Sequence, residues 1–518
     1  MTRADRIALT LSLLATVITY LVSVRIFEHM PHIEDEMAYV WQAQAIAGGH
    51  LTVPTPPDHK SFLVPFVVDY QGQRFGKYPL GWPALLAVGE RLGVPDLINP
   101  LLAGLAVWLT YLLGKRILGE AVGLLAAGLT ITSPFFLMNS GSLLSHPFGL
   151  VLSAAFALAW IDAFGDHPSP PAAATRRWLP TITAGLCLGV LALTRPLTAL
   201  AVGLPFGIHA LYLLVRSNWP TRRRLLALGA IALSLGGLIF AWQYAVTGDP
   251  FLNPYTLWWP YDIVGFGPGH GVMPQGHNLD LAYINTSFSL WVGEYDLFGW
   301  ARFSYLFLPF GLLALLPSRR SGRSLSRSGL LLASVIPSLV LIYMAYWIGS
   351  SLFGPRYYYE CLYSLTLLSA AGIAYLAGWP VRPDAPWETY SGVRKIRPLG
   401  MTALLALLVA TNLTLYTPLR VGGMKGLYGV SRAQIQPFLS PEAQEFTPAL
   451  IIVHPQEWTQ YGALLDLETP FLDTPFIFAY TRYPEADAEL AKDFPGRKVF
   501  YYYTDDPYNF YTAPRPPS

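Results

Sequence analysis

Long apolar runs alternate with short polar stretches along the chain. The runs are about 17 to 22 residues long, which is the helix length that crosses the hydrocarbon core of a bilayer. A membrane β-barrel would instead show segments of about ten alternating residues. The pattern predicts an α-helical polytopic membrane protein with about eleven transmembrane helices, at residues 7–27, 98–114, 121–138, 144–162, 179–195, 197–215, 225–246, 301–316, 328–348, 358–377 and 398–416.

Composition supports this class. Only 13% of the 518 residues are charged and 53% are apolar, whereas soluble proteins carry about 25% charged residues. A soluble enzyme and a disordered protein are therefore excluded. The net charge of +2 gives no reason to expect a nucleic-acid partner. Both cysteines, Cys187 and Cys361, lie in apolar runs, so we expect neither a disulfide framework nor a cysteine metal site.

Lysine and arginine residues are concentrated in alternate short loops. Loops rich in these residues stay in the cytoplasm, which predicts a cytoplasmic N-terminus in the cell membrane. Three large segments then lie outside the cytoplasm: the first large loop at 28–97, the second large loop at 247–300, and the tail from residue 417.

The tail has the pattern of a small α/β domain. Apolar runs at 449–453 and 498–503 alternate with a helix-like stretch at 484–494. We therefore expect a transmembrane module at 1–416 and an extracytoplasmic α/β C-terminal domain at 417–518.

Three consecutive carboxylates stand near the start of the first large loop. Glu34, Asp35 and Glu36 directly precede an Ala-rich stretch that ends at a glycine pair, a pattern typical of an amphipathic helix on the membrane surface. Negative charge is favourable at a helix N-terminus, so these side chains either only cap the helix, or one is a general base that deprotonates a hydroxyl. A metal site of His29, His32 and Asp35 is a further alternative.

Isolated cations lie at the expected outer boundary. Lys77 stands among aromatic, Gly and Pro residues, where a lysine either snorkels to the headgroups or binds a lipid phosphate. Arg195 and Arg356 each need an anionic partner at this level. That partner is either a structural carboxylate such as Glu360 or a ligand phosphate held by the arginine fork. His146 lies at the same level, as a helix cap or a ligand.

The second large loop is rich in aromatic residues and contains neither Lys nor Arg. Trp258, Trp259 and other rings there form either an interfacial belt or, with acidic groups such as Glu294, a surface for sugar binding.

The first large loop carries a motif that resembles the GT-C superfamily of membrane glycosyltransferases. The matching residues are Asp35-Glu36 followed by Tyr39, the Ala-rich stretch, and then Lys-Tyr-Pro-Leu-Gly-Trp-Pro at 77–83. The resemblance is greatest to the branch of the protein O-mannosyltransferases and the bacterial aminoarabinose–lipid A transferases. Pro-Arg-Tyr at 355–357 matches more loosely, and Gly76 stands where some relatives carry a second acidic residue.

The resemblance implies a polyprenyl-phosphate sugar as donor and a hydroxyl on a lipid, glycan or protein as acceptor, so the enzyme would be a hexosyl- or pentosyltransferase. It implies that Asp35 acts as base on the acceptor or organises it, with Glu36 as its companion, and Glu34 is left as a further candidate for the base. The resemblance places Lys77 at the donor phosphate. We expect Arg356, Arg195 and Tyr357 to bind the phosphate as well, and the substrate cavity to be lined by Tyr39, Tyr78, His146, Trp258, Trp259 and Glu294.

The hypothesis is a single inverting displacement on the extracytoplasmic side. Such a donor needs no nucleotide, which agrees with the lack of a nucleotide-binding fingerprint. No cofactor is required by the sequence, and a divalent metal is left open. The alternatives are a transporter or flippase for lipid-linked saccharides, which predicts ionisable residues at mid-membrane, and an enzyme similar to an O-antigen ligase or polymerase.

Overall fold

Apolar helices make up most of the structure. The computed structural model describes residues 1–165, 177–317, 325–383 and 396–516. In these ranges seven helical runs are long and apolar enough to cross a membrane: Arg3–Arg25, Pro95–Ile117, His146–Phe164, Pro196–Arg216, Trp219–Thr247, Arg356–Ala377 and Ile396–Leu439. Such runs match the thickness of a bilayer, and the protein is a multi-pass membrane protein.

Further apolar helices lie between these runs. Two are pairs bent at a short break: Glu120–Ile131 with Pro134–Gly141, at 62°, and Leu279–Asp296 with Ala301–Leu315, at 102°. If each pair is one span, the described ranges contain up to nine spans. Two shorter apolar helices are Trp178–Thr194 and Arg327–Tyr343. Each of the eleven predicted segments overlaps one of these runs, pairs or short helices, but Leu279–Asp296, the first half of the second pair, lies where the sequence predicts a loop. A total of eleven crossings stays a prediction.

The second large loop differs from the sequence prediction. Its second half is not loop but an 18-residue helix, Leu279–Asp296. The chain turns sharply after this helix at Gly299, which has a φ of +67°. An added Cβ at Gly299 would lie 1.9 Å from Oδ1 of Asn412, so only glycine fits this turn. The sequence suggested a loop because its polar and aromatic residues mask the helical period.

The boundary expected at residue 416 falls inside a helix. Ile396–Thr411 continues through a π-helical turn, Asn412–Tyr416, into Thr417–Gly422. Proline normally ends a helix because it lacks an N–H and clashes with the preceding turn. Here the wider π-turn lets the helix continue past Pro418.

Close helix contacts are made at glycine residues in the middle of the bundle. Leu308–Leu315 packs against Leu362–Ala377. An added Cβ at Gly311 would lie 2.1 Å from the Leu368 carbonyl oxygen, and one at Gly372 would lie 2.1 Å from that of Phe307. Small residues let helix backbones approach in this way, which is how membrane helices gain packing energy.

The first large loop folds into a helix and a small antiparallel sheet. The site helix, Glu34–Ala47, is followed by β1 (Val53–Pro54), β2 (Val67–Tyr70) and β3 (Gln73–Gly76), in the order β1-β3-β2. Strands β2 and β3 are joined by a two-residue turn with positive φ at both residues, Gln71 and Gly72, which suits the twist of a hairpin. The helix Gly81–Leu92 follows. The hairpin therefore places Lys77 directly after β3.

The C-terminal unit contains a mostly parallel sheet. Its strands are β4 (Ala449–His454), β5 (Phe476–Tyr480), β6 (Lys498–Tyr503) and β7 (Phe510–Tyr511), in the order β5-β4-β6-β7. Only β7 is antiparallel to its neighbour. The helices Trp458–Leu464 and Pro484–Asp493 connect the parallel strands, so two strands and one helix lie where the sequence predicts them.

This C-terminal unit packs on the first large loop. Phe62, in the short helix His59–Phe62, joins the buried cluster on one face of the sheet. The Tyr461 hydroxyl donates to the Ser61 carbonyl oxygen at 3.3 Å. Contacts on both sides bury the site helix, including Trp41, so it is not a helix with one freely exposed face.

Candidate functional site

A cavity of about 650 Å³ opens where the site helix meets the ends of the apolar helices. Residues that are distant in the sequence line it. They include Glu34, Asp35, Tyr39, Phe66, Lys77, Tyr78, His146, Arg195, Tyr255, Trp259, Asp262, Tyr343, Tyr346, Arg356 and Tyr357. The cavity therefore collects most of the side chains that the sequence singled out, and it adds tyrosines and one carboxylate.

Asp35 lies in the first turn of the site helix. Its Oδ1 accepts a hydrogen bond from the Tyr78 hydroxyl, and its Oδ2 lies 3.2 Å from Nη2 of Arg356. Burial alone would raise the pKa of Asp35, but Arg356, Tyr78 and Lys77 together outweigh burial and lower it below the ordinary value. Asp35 is therefore a carboxylate at neutral pH.

Arg356 begins the short helix Arg356–Cys361, two residues after Gly354, which has a φ of +74°. One guanidinium nitrogen, Nη2, binds Asp35. The other, Nη1, is buried and has no hydrogen-bond partner in the described part of the chain. A buried guanidinium N–H without a partner is costly, so Nη1 is an open donor beside the cavity.

Lys77 is buried against aromatic rings. Its Nζ lies 3.8 Å from the ring centre of Phe66, 4.8 Å from that of Trp259 and 4.9 Å from that of Tyr255. It forms an ion pair with Oδ2 of Asp262 at 3.3 Å. The ammonium group thus lies at the cavity wall in a setting that attracts cations.

Asp262 is the carboxylate of the cavity that sequence reasoning missed. The Tyr346 hydroxyl, at 3.2 Å, and Nε1 of Trp347, at 3.1 Å, both donate to its Oδ1. An acidic residue directly before Lys77 would require Gln42 to move, since an added Cβ at Gly76 would lie 2.6 Å from Oε1 of Gln42. The carboxylate beside the lysine therefore comes from the second large loop, where no local motif marks it.

Arg195 forms a buried ion pair rather than an open cation. Its Nε lies 2.9 Å from Oε1 of Glu360, and its terminal nitrogens donate to Ser145 and Tyr343, each at 3.2 Å. Nδ1 of His146 lies 3.3 Å from the same Glu360 oxygen. The structural carboxylate, one of the two partners that the sequence left open, is thus present, and a phosphate role for Arg195 stays a prediction.

The three consecutive carboxylates have different surroundings. Glu36 is buried and does not line the cavity, because its carboxylate accepts backbone N–H groups of His32 at 2.8 Å and Leu143 at 2.7 Å. Burial raises the pKa of Glu36 to about 7 against these hydrogen bonds. Glu34 is exposed at the cavity rim. Of these three carboxylates, only Asp35 is bonded to a cation of the cavity.

Some of the other residues expected in the cavity line it, and others do not. Tyr39 lines the cavity, and its hydroxyl lies 3.2 Å from Oγ of Ser145. Tyr357 also lines it, with its ring stacked on that of Tyr343 at 5.0 Å. Trp258 packs behind Phe66 and is not among the lining residues, and neither is Glu294, which lies in the helix Leu279–Asp296.

The proposed histidine–aspartate metal site is wrong. His29 pairs with Asp96, and Nδ1 of His32 lies 2.9 Å from the Met30 carbonyl oxygen, so neither of these nitrogens is paired with Asp35. In the described ranges no group of three or more His, Cys, Asp or Glu side chains is arranged to hold a metal ion.

The fold of this chain is similar to that of solved GT-C glycosyltransferases. The chain aligns with the crystal structure of ArnT from Cupriavidus metallidurans bound to undecaprenyl phosphate, with a TM-score of 0.56 and 15% identity over 93% of this chain and 86% of that one. The apo state of ArnT gives a TM-score of 0.56 and 14% identity over 95% and 88%.

Archaeal oligosaccharyltransferase AglB from Archaeoglobus fulgidus, in complex with an inhibitory peptide and a dolichol-phosphate, gives a TM-score of 0.49 and 13% identity over 95% of this chain and 69% of that one. No protein-family model and no curated protein sequence matches the chain. The likeness to ArnT is a likeness of fold, and it agrees with the GT-C resemblance of the motif in the first large loop.

Proposed function

We propose that the protein is a glycosyltransferase that moves a monosaccharide from a polyprenyl-phosphate donor to a hydroxyl acceptor, with inversion at the anomeric carbon. The transfer takes place in the cavity at the site helix, on the extracytoplasmic side of the cell membrane. The acceptor is a hydroxyl of a lipid, a glycan or a protein.

One observation carries this proposal: a carboxylate and two cations meet in one cavity beside apolar helices. Asp35 is ionised and bonded to Arg356, whose Nη1 has no partner in the described ranges, and Lys77 lies at the same wall. A base and a phosphate site this close together are what a one-step displacement at a glycosyl phosphate requires. ArnT, which has the same fold, is seen with undecaprenyl phosphate.

In the proposed reaction the donor phosphate first binds Nη1 of Arg356 and the ammonium group of Lys77. The phosphate then shares the positive charge that lowers the pKa of Asp35, so the carboxylate becomes a better base. The acceptor hydroxyl gives its proton to Asp35 while its oxygen bonds to the anomeric carbon. The bond from that carbon to the phosphate oxygen breaks, and the two cations stabilise the departing lipid phosphate.

The test is transfer by the purified protein in vesicles that contain a panel of labelled undecaprenyl-phosphate sugars and a bacterial lipid extract. We expect a new glycosylated lipid whose anomeric configuration, measured by NMR, is opposite to that of the donor. A parallel reaction with EDTA tests whether transfer depends on a divalent metal ion. Movement of the labelled lipid across the bilayer without a new glycosidic bond would support a transporter instead.

Lys77→Ala should raise the apparent KM for the lipid donor about tenfold or more, because a buried charge contact to phosphate is lost. Lys60→Ala is the matched control, since Lys60 is an exposed lysine of the same loop. An unchanged donor KM in the Lys77 variant would remove this residue from the phosphate site.

A further inference from the structure

Lys77 and Asp262 form a buried ion pair that joins the two large loops. Their side chains are only 4% and 1% exposed, and Nζ lies 3.3 Å from Oδ2. The two residues are 185 positions apart in the chain. Buried charges of this kind persist only when they are paired and hydrogen-bonded, so each residue constrains the other.

Apart from Asp262, the surroundings of Lys77 offer few groups that stabilise its protonated form. Phe66, Trp259 and Tyr255 present ring faces to the ammonium group, and rings attract a cation without accepting strong hydrogen bonds. Asp262 is the carboxylate within hydrogen-bond distance in the described part of the chain. Removing that carboxylate would leave a desolvated amine that favours its neutral form.

Asp262 is held rigidly. Both hydrogen bonds to its Oδ1, from Tyr346 and Trp347, come from the stretch after the helix Arg327–Tyr343. They leave Oδ2 directed at Lys77. The backbone of the loop is fixed as well, because the Gly271 N–H donates to the Tyr261 carbonyl oxygen at 2.8 Å. This carboxylate is preorganised for one partner.

We propose that Asp262 is a positioning residue that keeps the ammonium group of Lys77 protonated and directed into the cavity, where it binds the phosphate of the lipid donor. The inference rests on the proposed function for the identity of that phosphate. The ion pair itself does not depend on that function, and the two are tested separately below.

The effect of pH follows from the groups around Lys77. Burial lowers its pKa, while Asp262 and then Asp35 raise it again. Tyr78 and Tyr255 also face the amine, and burial raises their pKa values, so both stay neutral. Without Asp262 the pKa of Lys77 falls further, and the fraction of charged lysine decreases first at alkaline pH.

The first experiment measures this charge without any lipid. Purified protein is treated by reductive methylation, which modifies only the neutral amine, at several values from about pH 6 to about pH 9, and labelling of Lys77 is read by mass spectrometry. In Asp262→Asn we expect labelling about tenfold faster than in wild type near pH 8. Asp262→Glu should restore most of the protection, and Asp280→Asn, the same charge change at an exposed position of the same loop, should match wild type.

The second experiment measures the affinity for undecaprenyl phosphate over the same pH range. In Asp262→Asn the loss of affinity should grow with pH to about tenfold, whereas a general packing defect would weaken binding equally at every pH. The double variant with Lys77→Ala should bind no more weakly than Lys77→Ala alone, because Asp262 acts through the lysine.

Each outcome decides one of the two claims. Equal labelling of Lys77 in wild type and Asp262→Asn at every pH overturns the positioning role. If Lys77 is labelled faster in Asp262→Asn than in wild type, but the wild-type protein does not bind undecaprenyl phosphate, the proposed function is contradicted and the role of the ion pair stands. Additive losses in the double variant show that Asp262 acts on the phosphate by another route, which also overturns the inference.

Discussion

Asp35→Asn separates base catalysis from donor binding. The amide has the shape of the carboxylate, and its oxygen can still accept the hydrogen bond from the Tyr78 hydroxyl. What is lost is the negative charge 3.2 Å from Nη2 of Arg356, together with the ability to take a proton. The structure therefore predicts opposite effects on the two steps.

The magnitudes follow from these two roles. A positioned general base contributes about 10²- to 10⁴-fold in rate, which is about 2.7 to 5.4 kcal/mol at 1.36 kcal/mol per factor of ten. Binding of the lipid phosphate should not weaken. In the proposed site Asp35 and the phosphate share the positive charge of Arg356, so neutralising Asp35 leaves more of that charge to the donor.

The assay combines single-turnover transfer with equilibrium binding of undecaprenyl phosphate. Glu34→Gln and Glu36→Gln serve as neighbours for comparison. Glu34→Gln should change the transfer rate little, because Glu34 is exposed. Glu36→Gln should lower the stability of the fold, because the Glu36 carboxylate accepts hydrogen bonds from backbone N–H groups. If Asp35→Asn lowers the turnover rate by only about threefold or less, the loss is far smaller than that expected for a general base. That result would refute the assignment of Asp35 as the base. So would a larger rate loss in Glu36→Gln at equal folded fraction.

Two further predictions concern stability. Burial raises the pKa of Glu468 to about 8, so the folded protein holds this proton up to higher pH than the unfolded chain; its stabilising effect is complete at acid pH and is lost as pH rises through about 8. The thermal midpoint of Glu468→Gln should therefore depend less on pH between about 5 and 8 than that of wild type, and an equally steep dependence would contradict this. Gly276→Ala should lower stability by about 1–3 kcal/mol, because φ is +73° and the new Cβ would lie 1.7 Å from a carbonyl oxygen. Gly429→Ala, with a φ of +76° and open space around it, is the control in the same denaturation experiment, and equal losses in both would show that only backbone strain matters.

The positions of the apolar helices could be predicted from the sequence because the signal is local. A run of apolar residues has to be long enough to cross a bilayer, and length can be counted in one stretch of chain. Strands β4 and β6 were predictable for the same reason, since their apolar runs are bounded by turn residues. Leu279–Asp296 was not, because its half-exposed face carries mixed aromatic and polar residues that weaken the helical period.

The division of labour among the three carboxylates could not be predicted either. Glu34, Asp35 and Glu36 share one sequence pattern, and a helix points successive residues in directions about 100° apart. Which side chain faces a cavity depends on what packs around the helix. Here Leu143 and the turn at His32 bind Glu36, so that residue is used for the local fold and Asp35 is left for the cavity.

The charges of the cavity show why a local motif gives only half of a site. Lys77 stood out in the sequence as a cation without an evident counterion, and its counterion, Asp262, lies on another element. Arg195 pairs with Glu360, the carboxylate that the sequence offered as one candidate. A charge buried near a membrane requires a partner, so an isolated lysine or arginine in the sequence predicts that a carboxylate exists without telling where it is. The structure shows where each counterion lies, and the bonds to that counterion decide which nitrogens of the cation remain available to a ligand. Arg195 has all its nitrogens bonded within the protein, whereas Arg356 has a free Nη1 in the described ranges. Of the two arginines, Arg356 is therefore the one that we propose binds the donor phosphate through its unpaired nitrogen.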